Sequence, residues 1–74
     1  MRIEYDAEAN ALYIQLRDAE VSETQEITES LSVDLAADGR PVGIEILDAR
    51  ELLGSVGLAK VTLENLLAEA AAEA

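Results

Sequence analysis

The sequence lacks several residue types on which protein chemistry usually depends. Its 74 residues include no cysteine, histidine, tryptophan or phenylalanine. Without cysteine there can be no disulfides, thiolate nucleophiles or zinc–thiolate sites. Without histidine the chain has neither the usual general base near neutral pH nor the commonest ligand of transition metals. The sequence therefore predicts no cofactor, no metal site and no catalytic residue, and we expect a protein that is not an enzyme.

Basic residues are also scarce. Five Lys and Arg residues stand against sixteen Asp and Glu residues, for a formal net charge of −11. This balance opposes direct binding to nucleic acid, whose phosphates require cations. No apolar run is long enough to span a bilayer and the N-terminus is a strand pattern, so we expect a cytoplasmic protein that does not bind membranes. Such a charge keeps a small domain soluble or attracts a basic partner protein.

The clearest pattern that is present predicts a β-hairpin. Apolar residues alternate with polar ones in residues 31–35 and again in residues 42–46, on either side of Asp38-Gly39, a strong turn signal. With a two-residue loop, the opposing pairs would be Leu35 and Val42, Val33 and Ile44, and Leu31 and Ile46. The apolar side chains then share one face, and Pro41 opposes Ala36.

The other face of this hairpin carries residues that a core does not need. They are Asp34, Gly43 and Glu45. Because packing does not explain them, we predict that any function of the hairpin resides there, as a possible interaction surface.

The N-terminal half predicts further strands at residues 2–5 and 11–17, joined by a polar turn. Within this turn Asp6, Glu8 and Asn10 alternate like calcium ligands, but the required glycine and distal glutamate are missing, which favours an Asx-rich turn. Residues 20–28 are ambiguous, since pairing with the preceding strand would set Glu23 and Gln25 against aliphatic residues. A bulge, an edge position or a departure from the sheet would each resolve this conflict.

Two helices are predicted after the hairpin. Asp48 and Glu51 have the spacing of a capping box, and Gly54 supplies a stop, which predicts about a turn and a half of helix. After a linker, Thr62 is a candidate N-cap for a longer helix. One stripe of this helix is apolar and consists of Leu63, Leu66, Leu67, Ala70 and Ala74. The stripe could cover the sheet of its own chain or pair with a second chain. The inner face of the sheet needs a cover, which slightly favours packing within the chain, whereas the small core favours a homodimer.

These elements predict the fold class α+β: an antiparallel β-meander of four to five strands followed by one short and one longer C-terminal helix. We expect a single domain over residues 1–74. Residues 1–53 would form the sheet and the short helix, and residues 54–74 the linker and the C-terminal Ala/Leu helix.

The segments YDAEANALYIQL and VDLAADGRPVGIEILDA resemble a small bacterial and archaeal family called domain of unknown function 2283. Its pattern, Y-D-x-E-x-D-x-L-Y-I-x-L and then D-x-x-G-x-x-V-G-I-E-I-L-D-A, is similar to roughly residues 2–53, although Asn10 stands where the family commonly has Asp. The resemblance implies the fold but no accepted activity. Some relatives are thought to sit beside small toxin-like proteins, which would suggest an antitoxin role.

Taken together, composition and resemblance favour a small acidic interaction module, an antitoxin-like partner of a small basic protein. The alternatives are a carboxylate-based metal-binding or enzymatic subunit, and a ligand-binding homodimer.

Overall fold

The computed structural model describes residues 1–64, apart from the side chain of Val56. It shows an α+β fold of five strands followed by a short, interrupted helix, as predicted. The elements are β1 (Arg2–Asp6), β2 (Ala11–Gln15), β3 (Glu23–Thr28), β4 (Leu31–Leu35), β5 (Pro41–Ile46) and α1 (Ala49–Ala59).

All neighbouring strands are antiparallel, in the order β1-β2-β5-β4-β3. The sheet is thus a β1–β2 hairpin and a β3–β4–β5 meander, joined by the pairing of β2 with β5. β3 lies at an edge of the sheet and carries a bulge between Glu26 and Thr28, two of the alternatives that the sequence left open. Glu23 and Gln25 therefore oppose Leu35 and Val33 of β4 rather than residues of β2, and at the edge of the sheet their side chains stay exposed.

The predicted register of the β4–β5 hairpin is partly confirmed. Leu31 opposes Ile46 and Val33 opposes Ile44, as expected. The third predicted pair is wrong, because Leu35 opposes Pro41 rather than Val42. For the same reason Pro41 does not oppose Ala36.

The turn explains this difference. Ala36 closes the hairpin by donating its N–H to the carbonyl of Arg40 at 2.9 Å, so the loop holds three residues, 37–39. Gly39 adopts a φ of 82°, and its N–H donates to the carbonyl of Ala36 at 2.9 Å. A three-residue loop shifts the register by one position, and a bulge at Val42 restores it, so the inner pairs keep their expected partners.

The bulge also fastens β5 to the end of β2. The carbonyl of Val42 accepts the N–H groups of Leu16 at 2.8 Å and of Arg17 at 3.3 Å. The Arg17 guanidinium extends this contact by donating to the carbonyl of Pro41 at 3.0 Å and to Asp38 Oδ1 at 3.1 Å. Val42 itself is only 2% exposed. The start of β5 is therefore the most firmly packed point of the sheet.

The pairing register divides the strand residues between two faces. The apolar face carries Ile3, Tyr5, Leu12, Ile14, Leu31, Val33, Leu35, Ile44 and Ile46. The polar face carries Arg2, Glu4, Tyr13, Gln15, Thr24, Glu26, Ser32, Asp34, Gly43 and Glu45. Among the hydrophobic residues of the described chain only Val42 and Ala49 are fully buried, and the fold is 18 Å in its thinnest dimension. The sheet is thus a single layer whose apolar face is incompletely covered.

α1 is interrupted at the predicted stop, Gly54, but helical structure resumes after it. Gly54 has non-helical dihedral angles (φ 78°, ψ 157°) and interrupts α1, as expected. A second helical piece follows it where a linker was predicted. Residues 61–64 are not helical, so Thr62 does not begin a helix there; the rest of the predicted longer helix lies outside the described residues. α1 makes few contacts with any strand.

The start of α1 is held by a residue from a different part of the chain. Asp48 stands at the N-cap position with a φ of 51°, but its side chain makes no capping hydrogen bond, so that prediction is wrong. Asn10 in the β1–β2 turn takes its place: its Oδ1 accepts the N–H of Arg50 at 3.0 Å and the hydroxyl of Tyr5 at 2.9 Å. The Asn10 amide donates to Glu51 Oε2 at 2.7 Å, and this bond holds the pKa of the Glu51 carboxyl below its usual range.

Replacing Asn10 should therefore cost more stability than replacing Asp48. Both residues have positive φ, so glycine removes either side chain without backbone strain. We expect Asn10→Gly to lower the free energy of unfolding by about 1–2 kcal/mol, because three side-chain hydrogen bonds are lost, and Asp48→Gly by less than about 0.5 kcal/mol. Urea unfolding followed by circular dichroism, at one fixed protein concentration, measures both; equal losses would contradict the assignment.

Candidate interaction surface

The three residues predicted for an interaction surface lie together on the polar face. Asp34 in β4 directly opposes Gly43 in β5. Glu45, two positions further along β5, opposes Ser32 on one side and Tyr13 on the other. The three residues therefore occupy one region of the two strands at the middle of the sheet.

Two residues that the sequence did not single out complete this region. The Tyr13 hydroxyl reaches across β5 and donates to Asp34 Oδ2 at 2.8 Å. From the other side, the Thr24 hydroxyl donates to Asp34 Oδ1 at 2.6 Å. Both oxygens of Asp34 are thus engaged, and a polar row runs from β2 over β5 and β4 to β3.

Gly43 is the residue that permits this row. It is buried under the Tyr13 ring, and a Cβ at this position would lie 3.0 Å from Tyr13 Cε2 and closer still to Cζ and the hydroxyl. No side chain fits without moving the ring. The mid-strand glycine therefore fixes where the phenol lies.

The electrostatic environment of Tyr13 favours its neutral form. Burial contributes most, followed by the hydrogen bond to Asp34 and the negative charges of Asp34 and Glu45; together they raise the pKa of the Tyr13 phenol above its ordinary value, although Arg2 acts in the opposite direction. A neutral phenol can donate to a carboxylate, whereas a phenolate would repel it. Tyr13 and Asp34 thus form a hydrogen-bonded clamp across β5.

The polar face as a whole is acidic. Glu4, Glu26, Asp34 and Glu45 lie on it, and its strand residues include one cation, Arg2. Nη1 of the Arg2 guanidinium lies 3.9 Å from Glu4 Oε2. Glu45 is exposed, and no hydrogen bond or ion pair engages its side chain within residues 1–64. The face therefore offers carboxylates on a flat, rigid surface to cations that approach from solvent.

The alternating residues of the β1–β2 turn are occupied by the fold itself. Asp6 Oδ1 accepts the N–H groups of Glu8 at 3.0 Å and Ala9 at 3.1 Å, as an Asx turn does, and Asn10 holds α1. Within the described part of the chain, no three Asp or Glu side chains come together as metal ligands.

A signal for Tyr13 and Thr24 was present in the sequence but could not be used. A glycine in the middle of an alternating strand indicates that something passes close to the backbone. The passing group is Tyr13, whose strand is adjacent to β5 only through the pairing of β2 with β5. The contact becomes visible once that pairing is known.

Fold and surface together define a class: a small α+β domain with one antiparallel sheet, one acidic polar face and no cluster of metal-ligating side chains among its described residues. Within that class the chain belongs to the family described as "Protein of unknown function (DUF2283)", whose model matches residues 2–50 and thus all five strands. Comparisons with curated proteins and with solved structures find no match. No helix among the described residues has both the length and the apolar character that crossing a membrane requires.

The contact between Gly43 and Tyr13 predicts a strong coupling. We expect Gly43→Ala to destabilise the protein by about 1–3 kcal/mol, because the added methyl group displaces the ring. In a Tyr13→Ala background the same change should be neutral or stabilising by up to about 1 kcal/mol, since glycine is unfavourable inside a strand. A double-mutant cycle from denaturant unfolding measures this coupling, and additive effects would contradict it.

The clamp also predicts a pH dependence. The folded pKa of Tyr13 lies above its unfolded value of about 10, so the neutral phenol stabilises the fold below that pH, and this contribution is lost as pH rises through the folded pKa. Asp34→Asn removes one negative charge and should shift the titration of Tyr13 to lower pH. Phenolate absorbance reports the titration, and Tyr13→Phe identifies the step; an unchanged curve in Asp34→Asn would refute the role of Asp34.

Proposed function

We propose that the protein is a non-enzymatic interaction module whose polar face binds the basic surface of a partner protein. The observation that carries the proposal is the charge of this face, where Glu26 and Glu45 are exposed on either side of the Asp34 clamp while the basic residues are few. Complementary charge speeds association and selects partners. The partner that fits is small and basic, which agrees with an antitoxin-like role.

The rigidity of the surface supports the proposal. The face is built on paired strands rather than loops, and the clamp of Tyr13, Asp34 and Thr24 joins three strands, β2, β4 and β3, across β5. A preorganised surface loses little conformational entropy when it binds. The strands therefore fix the backbone positions from which the exposed carboxylates reach a partner.

The decisive experiment compares two variants. One reverses two charges on the polar face, and the control reverses two charges elsewhere. The probe is the product of the neighbouring gene, co-expressed with the protein and purified with it. Glu26→Lys combined with Glu45→Lys changes the polar face, whereas Glu20→Lys combined with Glu29→Lys makes the same change in net charge at exposed positions in the connections around β3.

We expect the polar-face variant to weaken binding at least tenfold more than the control variant, and the wild-type affinity to fall as salt rises. Titration calorimetry at two salt concentrations measures both effects. Equal losses in the two variants would assign binding to net charge rather than to this face. Separate elution of the neighbouring protein at moderate salt would remove the proposed function.

A further inference from the structure

Within residues 1–64, one large surface has no complete covering layer. The apolar face holds seven aliphatic residues that are half-buried rather than buried, and Ile3 at its edge is 43% exposed. Its half-buried aliphatic residues are Leu12, Ile14, Leu31, Val33, Leu35, Ile44 and Ile46. A sheet with one apolar face normally buries it against a second layer. α1 does not supply that layer, since its Leu52 and Leu53 remain 56% and 40% exposed.

We propose that a second copy of this chain covers the apolar face, so that two sheets pack face to face in a twofold-symmetric dimer. Such an interface brings the same residues together from both copies. Facing sheets lie about 10 Å apart with interdigitated side chains, an arrangement that a continuous aliphatic surface permits. The interaction is distinct from the polar-face binding proposed above and uses the opposite side of the sheet.

The distribution of charge favours a second copy as the occupant. Each chain has a formal net charge of −11, so two copies repel one another in most orientations. The acidic strand residues lie on the polar face, and the strands β1, β2, β4 and β5 contribute no charged residue to the apolar face. Glu23 stands at its rim, on the edge strand β3. The apolar face is thus the one broad surface of the sheet on which two copies can meet without opposing carboxylates.

The available area suits a small dimer interface. Five strands about 4.8 Å apart, each five or six residues long, present roughly 400–500 Å² of face on each copy. Such an interface lies at the small end of the range for specific association. Residues 65–74 contain only two large apolar residues, Leu66 and Leu67, and these are too few to cover nine residues spread over four strands.

The two surfaces predict opposite responses to salt. Screening reduces the repulsion between two acidic copies, so the dimer should tighten as ionic strength rises, whereas polar-face binding to a basic partner should weaken. The dimer and the polar-face binding can therefore be tested separately, and failure of one does not decide the other.

The test is the molar mass of the full-length protein and of two matched variants by sedimentation. We expect wild type at twice the monomer mass of 7.9 kDa, Ser32→Glu at the same mass, and Val33→Glu with a dissociation constant raised at least a hundredfold. Val33 and Ser32 are neighbours in β4 that project from opposite faces. Val33→Glu therefore adds one negative charge to the apolar face, and Ser32→Glu adds the same charge to the polar face.

Four further outcomes decide the proposal. A wild-type unfolding midpoint that rises with protein concentration supports a dimer even if Val33→Glu does not fold. A wild-type monomer at 100 μM would overturn the proposal, as would a dimer that Val33→Glu leaves intact, since it would then join through strand edges. If Leu66→Ser combined with Leu67→Ser destabilises a monomeric wild type, residues 65–74 of the same chain cover the face instead.

Discussion

The rest of the fold depends on β5, which pairs with β2 on one side and β4 on the other. Without the β2–β5 ladder the chain would be a separate hairpin and a separate meander. The features that make the structure specific are concentrated in this strand: the bulge at Val42, the glycine under Tyr13, and the aliphatic pair Ile44 and Ile46. A central strand must satisfy neighbours on both sides and on both faces, and this explains why so much is fixed over six residues.

Local patterns predicted local structure well. Alternation of apolar residues located the strands, and the pairs of Leu31 with Ile46 and Val33 with Ile44 followed from it. The length of the β4–β5 loop was harder to predict, because a three-residue loop and a bulge at Val42 change the register by equal and opposite amounts. The inner pairs are then the same as for a two-residue loop, so alternation alone could not reveal the difference.

Contacts between distant segments were beyond these patterns. The capping-box spacing at Asp48 and Glu51 correctly indicated the start of a helix, but the capping side chain comes from Asn10, some forty positions earlier. Tyr13 lies in β2, and its hydrogen-bond partner Asp34 in β4 is reached only across β5. Spacing along the chain predicts that a donor or acceptor needs a partner; the topology decides which residue supplies it.

The pairing of β2 with β5 has a consequence for the order in which the chain folds. Within the β1–β2, β3–β4 and β4–β5 hairpins, partners are close in sequence, so each hairpin closes a short loop and forms rapidly. Leu12 and Ile46 meet only after the whole of β3 and β4 has been brought back, which carries a larger entropic cost. We therefore expect the slow step to be docking of the β1–β2 hairpin onto the β3–β4–β5 meander. Arg17 joins the end of β2 to the β4–β5 turn, so its hydrogen bonds should slow the separation of these two units.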